Sequence, residues 1–247
     1  MEKKKKPLVI KILLVLLVLL LLCVAFLLYV IIFGGAKPDE TALEALKGGD
    51  GVTVQEIPQG WLFDGPSEDT AIILYNAFNA RETVYAPLAV KIAQETADVF
   101  VMKTPLKIAI LGLNKAKEVQ DSYSYDHWYL AGHSLGGGAA SIYVTSCENP
   151  PDGLILLGSY AIYQMVFEDI HIRTLSLYGS NDAALDIKQL ESTRELMPEG
   201  SAMHCIEGGN HSQFGSYGQY PRSGTATITP EEQWQETADW IHWFIRG

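Results

Sequence analysis

The chain has 247 residues, of which 48% are hydrophobic and 19% charged, and its formal net charge is −11. An acidic chain repels phosphate backbones, so nucleic acid is excluded as a partner. The sequence contains no C-x-x-C pair, H-E-x-x-H, P-loop or G-x-G-x-x-G motif, and therefore gives no support for a metal or nucleotide cofactor.

The first predicted element is a membrane anchor. Residues 12–33 form a run of 22 uncharged residues, nearly all of them aliphatic or Phe, behind a basic segment at residues 1–11. At about 1.5 Å per residue, a helix of this length spans the ~30 Å core of a bilayer. A cleaved signal peptide is the alternative, but its apolar region usually has only about 7–15 residues, and Gly34-Gly35-Ala36 is a poor cleavage site.

The charge distribution predicts the orientation of this anchor. Residues 1–33 carry a balance of +4, which leaves −15 on residues 34–247 because the whole chain carries −11. The positive-inside rule keeps the lysines in the cytoplasm. We therefore expect a single-pass cell-membrane protein with a cytoplasmic N-terminus and an extracytoplasmic globular domain, close to the membrane but held off it by a tether.

The remaining chain is expected to hold a linker at residues 34–51, with a short helical stretch at 41–46, and one domain at residues 52–247. Residues 52–63 predict an antiparallel edge. Beyond them strand and helix patterns alternate, which predicts a mainly parallel α/β sheet with crossover helices. The strand candidates are 71–75, 128–131, 154–157, 172–178 and 202–206, and the helix candidates are 84–97, 114–122, 187–196 and a closing helix capped by Thr229 and Glu232.

The most informative motif is Gly132-His133-Ser134-Leu135-Gly136, between a strand candidate and a helix candidate. A serine at the apex of such a turn has a strained backbone, and small residues are needed two positions away on each side, where strand and helix nearly touch. The helix N-terminus that follows can stabilise an oxyanion. The pattern therefore predicts a nucleophile elbow at Ser134.

An activated serine needs a base, and the base needs an orienting carboxylate. Asp182 follows the strand candidate at 172–178, and His211 follows the one at 202–206. Loops that leave the carboxyl ends of parallel strands can converge on one crevice. We therefore predict Ser134 as nucleophile, His211 as general base and Asp182 as the acid that orients it.

Each assignment has a competitor. Asp186 is a competing acid in the same loop, and the carboxylate of Asp182 could instead make a local turn hydrogen bond. The other five histidines lie in less suitable places: His127 and His171 precede strands, His133 adjoins the nucleophile, His204 is within a strand, and His242 is in the closing helix.

With its nucleophile, acid and histidine in that chain order, the sequence from about Val52 onward resembles the α/β-hydrolase superfamily. It is most similar to small, lidless bacterial hydrolases of the dienelactone-hydrolase-like branch, which often carry a serine where dienelactone hydrolase carries a cysteine. The resemblance implies an α/β-hydrolase fold, here preceded by one transmembrane helix.

The resemblance also implies an oxyanion donor after the strand at 71–75. Many superfamily members have His-Gly-X there, and the dienelactone-like branch often has Pro-Gly-Gly or Pro-Gly-Ala, whereas this chain has Asn76-Ala77-Phe78. A Cβ at position 77 restricts the backbone where glycine is usual. The expected donors are the backbone N–H groups of Leu135 and Phe78.

The short connection between residues 157 and 172 leaves no room for a cap domain, so an open site is expected. Aromatic and Met side chains are candidates for its wall, although such residues are more often core: Tyr160, Tyr163, Met165, Phe167, Phe214 and Tyr217. The sequence thus predicts a membrane-anchored serine hydrolase, a carboxylesterase acting on small or accessible esters through an acyl-enzyme. The alternatives are a lactone or peptide-bond hydrolase with the same triad, or a non-catalytic binding module, which the Asn76-Ala77-Phe78 departure favours.

Overall fold

The computed structural model describes residues 6–160, 172–218, 220 and 222–247, and the chain forms two compact units, Met1–Gly35 and Ala36–Gly247. The described part of the first unit is dominated by one helix, α1 (Lys6–Phe33). Its segment Leu8–Phe33 is long and apolar enough to cross a membrane, a property that a signal sequence near an N-terminus shares.

The second unit is built on a single sheet, which has eight strands in the described part of the chain. The strands follow the spatial order β1-β2-β4-β3-β5-β6-β7-β8. The β1–β2 and β2–β4 pairs are antiparallel and all the others are parallel. The strands are β1 (Thr53–Ile57), β2 (Gly60–Asp64), β3 (Thr70–Tyr75), β4 (Asp98–Met102), β5 (His127–His133), β6 (Gly153–Leu157), β7 (Thr174–Gly179) and β8 (Ala202–Ile206).

Helices connect these strands and cover both faces of the sheet. They are α2 (Glu40–Ala45), α3 (Ala86–Glu95), α4 (Lys115–Ser122), α5 (Leu135–Ser146), α6 (Ile187–Ser192) and α7 (Pro230–Arg246). Thr229 and Glu232 form the predicted capping box of α7, in which each side chain bonds the other residue's backbone N–H. The predicted mainly parallel α/β sheet with crossover helices is confirmed.

Successive side chains of the buried strands point to opposite faces of the sheet, so each face has its own hydrophobic core. On β3, Ile72 and Leu74 face a cluster with Leu88 of α3 and Trp234 of α7. The intervening residues of β3 face the opposite cluster, which contains Val119 of α4 and several residues of α5. In a sheet with both faces covered, ligands generally bind at the carboxyl ends of the parallel strands.

Two stretches differ from the sequence expectation. β4 is not among the predicted strands, because it follows α3 after only two residues and its apolar run merges with the helix pattern. Residues 36–51 are not a free linker: the compact unit begins at Ala36. In this polar stretch Ala42 is fully buried, and the Asp39 amide donates to the Ser216 carbonyl at 3.1 Å.

Candidate active site

The turn between β5 and α5 holds Ser134 in a strained conformation, with φ 55° and ψ −123°. Two glycines make the turn sterically feasible. A Cβ on Gly132 would lie 2.2 Å from the Gly136 carbonyl carbon, and one on Gly136 would lie 2.4 Å from the Tyr75 oxygen. Real Cβ contacts essentially never approach below 3.0 Å, so no other residue fits at either position.

Neighbouring strand ends fix the backbone of Ser134. Its N–H donates to the Leu157 carbonyl at 3.0 Å, and its carbonyl accepts from the Ser159 hydroxyl at 2.7 Å. The Ser134 side chain is partly exposed, and its hydroxyl makes no hydrogen bond within the described residues. Catalytic hydrogen bonds in unliganded enzymes often form fully only when substrate is bound.

His211 and Asp182 form a sheltered pair at the ends of β8 and β7. His211 Nδ1 lies 2.7 Å from Asp182 Oδ2, with side-chain exposures of 13% and 0%. The other carboxylate oxygen accepts from the amides of Ala184 at 2.8 Å and Leu185 at 3.1 Å. Because Asp182 accepts at Nδ1, the proton of a neutral His211 sits there and Nε2 is free to act as a base.

The competing residues have other partners. Asp186 caps α6, since its Oδ1 accepts from the Gln189 amide at 3.1 Å. Three of the other histidines pair elsewhere: His127 with Asp152, His204 with Glu236, and His242 with Thr96. His171 lies outside the described residues. Of the two candidate acids, Asp182 is the one that contacts His211.

Gly158, at the end of β6, makes room for the His211–Asp182 pair and was not predicted from the sequence. Its φ is +50°, and a Cβ there would lie 3.1 Å from His211 Nδ1 and 3.3 Å from Asp182 Oδ2. The available sequence signal is a glycine directly after a buried apolar strand. Ser159, which follows Gly158 and donates a hydrogen bond to the Ser134 carbonyl, was also not predicted from the sequence.

A second buried layer lies behind these residues. Tyr85 Oη accepts from the Ala77 amide at 2.8 Å and forms a hydrogen bond with His133 Nδ1 at 2.9 Å. The His133 ring lies 4.7 Å from the His211 ring, centroid to centroid. Burial, and then the proximity of His211, hold the pKa of His133 well below its usual value. His133 is therefore neutral.

The loop after β3 is ordered by the side chain of Asn76, which is buried. Asn76 Nδ2 donates to the carbonyls of Ala77 at 2.9 Å and Ala80 at 3.0 Å, and Oδ1 accepts from the Thr104 hydroxyl at 2.7 Å. The residue in the left-handed region is Asn79, with φ 54°, and not Ala77. Asparagine tolerates this region, so the Cβ of Ala77 causes no conflict.

The two expected oxyanion donors are available for a ligand. Within the described residues, neither the Phe78 amide nor the Leu135 amide has a hydrogen-bond partner. Leu135 is the first residue of α5, where amides lack partners inside the helix. Both residues follow neighbouring strands of the sheet, β3 and β5.

The structure describes three of the candidates for the wall of the site, and they differ in burial and contacts. Phe214 has no exposed surface and packs against the ring of His133 at 5.4 Å, so it is core and not wall. Tyr217 is partly buried against the same core, and Tyr160 is tied to the backbone of Asp186 by its hydroxyl. Tyr163, Met165 and Phe167 lie outside the described residues.

A parallel sheet covered by helices on both faces, with a strained serine at a strand-to-helix turn, defines the α/β-hydrolase class of architecture. The sequence model of the alpha/beta hydrolase family matches residues 71–235, about two thirds of the chain. The chain therefore belongs to the alpha/beta hydrolase family.

Solved structures of hydrolases have the same fold. Dienelactone hydrolase from Anabaena variabilis has a TM-score of 0.61 at 13% identity, covering 79% of this chain and 100% of that one. A bacterial membrane phospholipase A has a TM-score of 0.59 at 15% identity, with coverages of 96% and 98%. A carboxylesterase from Bacillus subtilis has a TM-score of 0.52 at 10% identity, with coverages of 70% and 88%. A search of curated proteins finds no match.

Proposed function

We propose that this protein is a membrane-anchored serine hydrolase, a carboxylesterase that cleaves small or accessible esters through an acyl-enzyme. The observation that carries the proposal is the sheltered His211–Asp182 pair, 2.7 Å apart. The His211 ring lies 4.7 Å from the ring of His133, which directly precedes the strained Ser134 in the chain. The Asp182 carboxylate that contacts His211 is fully buried and is held by two further amide hydrogen bonds, as an orienting acid requires.

The residues divide the reaction as follows. Ser134 Oγ attacks the ester carbonyl carbon while His211 Nε2 takes the hydroxyl proton, and Asp182 stabilises the imidazolium. The amides of Leu135 and Phe78 bind the oxyanion. The tetrahedral intermediate then expels the alcohol, which receives the proton from His211. Water, deprotonated by His211, attacks the acyl-enzyme and releases the acid and Ser134.

The exposure of the residues around Ser134 supports an open active site. Ser134 is partly exposed and its neighbour Leu135 is 53% exposed, so a substrate can approach from solvent or from a surface. The triad chemistry would equally cleave a lactone or an amide, and substrate profiling decides between these bonds. The loop held by Asn76 weakens the case for a non-catalytic binding module, because within the described residues the Phe78 amide has no hydrogen-bond partner and can serve as an oxyanion donor.

The apolar helix α1 supports the membrane anchor, with its lysine-rich N-terminus in the cytoplasm and the hydrolase domain outside. Membrane fractionation tests this assignment. The full chain should resist carbonate extraction, and protease added to intact spheroplasts should remove the hydrolase domain. Release into the soluble fraction with a new N-terminus near Ala36 would instead identify a cleaved signal peptide.

Turnover of p-nitrophenyl acetate tests the catalytic assignment. Ser134→Ala should lower kcat by about 10⁶-fold, as expected for loss of a triad nucleophile. Ser122→Ala is the matched control, because Ser122 is exposed and its hydroxyl bonds only the carbonyl of Glu118. Activity above about a tenth of wild type in Ser134→Ala would refute the assignment.

A further inference from the structure

The surface around Ser134 carries a concentration of exposed apolar side chains. In the described part of the second unit, nine large hydrophobic side chains are exposed, and five of them follow three adjacent parallel strands. One lies after β3, three after β4 and one directly after Ser134 at the end of β5. We call these five the apolar rim: Phe78 (51% exposed), Leu106 (43%), Ile110 (50%), Leu111 (55%) and Leu135 (53%).

Backbone bonds hold the rim segment after β4 against the loop after β3. The Lys107 carbonyl accepts from the Asn79 amide at 2.9 Å and from Asn76 Nδ2 at 3.2 Å. Leu106 and Lys107 both have left-handed backbones, with φ of 54° and 59°. Such consecutive strain at non-glycine residues persists only where the surroundings enforce it and is concentrated at functional sites. Here it accompanies a leucine that stays exposed.

Cations border the rim in a domain that is otherwise acidic. Ala36 exchanges backbone hydrogen bonds with Asn79 at 3.0 Å and Arg81 at 3.1 Å, which sets Lys37 beside Arg81. Burial, followed by the nearby charges of Arg81 and Lys37, lowers the pKa of Lys107, while Glu82 opposes this shift. Lys37 and Arg81 thus form a cationic patch beside Lys107, with Glu82 as a neighbouring acid.

Two residues, Gly34 and Gly35, separate the apolar helix from the second compact unit. α1 ends at Phe33, and Ala36 is held to the loop that contains Phe78. Three residue steps cover at most about 11 Å, comparable to the thickness of one headgroup layer, about 5–8 Å.

We propose that the apolar rim rests in the membrane leaflet next to the hydrolase domain, with the cationic patch on lipid phosphates, so that Ser134 opens toward the bilayer. This inference rests on the proposed anchor and deepens the proposed function: the substrates would be esters that reside in the lipid layer. Apolar side chains flanked by Lys and Arg are the composition that binds anionic membrane interfaces. The acidic remainder of the domain is repelled by the same surface.

Depth-dependent fluorescence quenching tests the contact without any need for catalysis. The full chain, with its native cysteines replaced, would carry an environment-sensitive dye at Leu111→Cys and be reconstituted into anionic vesicles with brominated acyl chains. The matched control is Leu196→Cys, because Leu196 is also exposed and precedes β8 at the opposite edge of the sheet. We expect several-fold stronger quenching at position 111 than at position 196.

Equal quenching at the two positions would overturn the proposal. So would a blue-shifted dye at position 111 that the brominated lipid does not quench, since a second copy or another protein would then cover the rim. If wild type hydrolyses no ester, the proposed function fails while the quenching result still decides the membrane contact.

Substrate selectivity supplies an independent readout. Ile110→Glu combined with Leu111→Glu should lower hydrolysis of a long-chain ester embedded in vesicles by about tenfold, because two charges would be forced against lipid. Hydrolysis of soluble p-nitrophenyl acetate should stay within about twofold. Leu196→Glu should change neither rate. Equal losses on both substrates would contradict a role of the rim in reaching bilayer substrates.

Discussion

The two sides of the candidate site differ in how they are held. On one side, the loops after β7 and β8 shelter the His211–Asp182 pair, whose side chains are 13% and 0% exposed. On the other, the loops after β3, β4 and β5 carry the apolar rim, with side chains 43–55% exposed. Under the proposed function, the His–Asp side carries out the chemistry and tolerates little change, whereas the rim side governs which substrates reach the site.

The largest effect is expected on the His–Asp side, from a substitution of the acid. Asp182→Asn should lower kcat by about 10⁴-fold, because the amide favours the wrong tautomer of His211. Asp186→Asn is the control, since asparagine caps a helix about as well as aspartate, and its activity should stay near wild type. The reverse ranking of these two variants, measured with a soluble ester, would transfer the role to Asp186.

A smaller effect is expected from crowding the same pair. Gly158→Ala puts a Cβ 3.1 Å from His211 Nδ1, and displacements of even ~1 Å can cost about 100-fold in rate. Gly51→Ala is a matched control, because Gly51 also has a positive φ, 85°, but no neighbour within 4 Å of its Cβ position. Both variants place a side chain at a positive φ, and Gly158→Ala alone should lose about tenfold or more in kcat. Equal rates in the two variants would show that the pair tolerates movement.

The smallest effect concerns His133, which lies between the two sides. Its pKa is held below the usual value, so the unfolded chain binds a proton that the folded chain does not. The neutral His133 therefore costs no stability above about pH 6.5. Below that pH it lowers the free energy of unfolding, by at most about 1.4 kcal/mol per pH unit. His133→Gln should flatten this part of the unfolding free energy profile between pH 7.5 and 5. An unchanged slope would mean that His133 is protonated in the folded state.

The sequence predicted the fold well where the pattern is local. The strand at 202–206 has the predicted bounds, and the capping box of α7 joins residues three positions apart. β4 was missed because an apolar strand that closely follows an apolar helix has no boundary signal of its own. Residues 36–51 were expected to be a linker because their two buried alanines leave little trace in a polar stretch.

The surroundings of the site were harder to predict. Asn76 is anchored by Thr104 and Lys107, residues 28 and 31 positions away, and no local pattern indicates such partners. The same holds for Tyr85, which bonds His133 over 48 positions. Phe214 was a candidate for the wall of the site, but it fills the space beneath His133, since only packing distinguishes a core aromatic from a wall aromatic.

The central claim is that Ser134 is an activated nucleophile. A fluorophosphonate reports this directly, because it labels an activated serine without the natural substrate. The account predicts that peptide mass mapping of the labelled full chain locates the phosphonyl group on Ser134, and that Asp182→Asn slows labelling greatly while Asp186→Asn does not. A folded chain that takes up no label, or takes it up on another serine, would contradict the account.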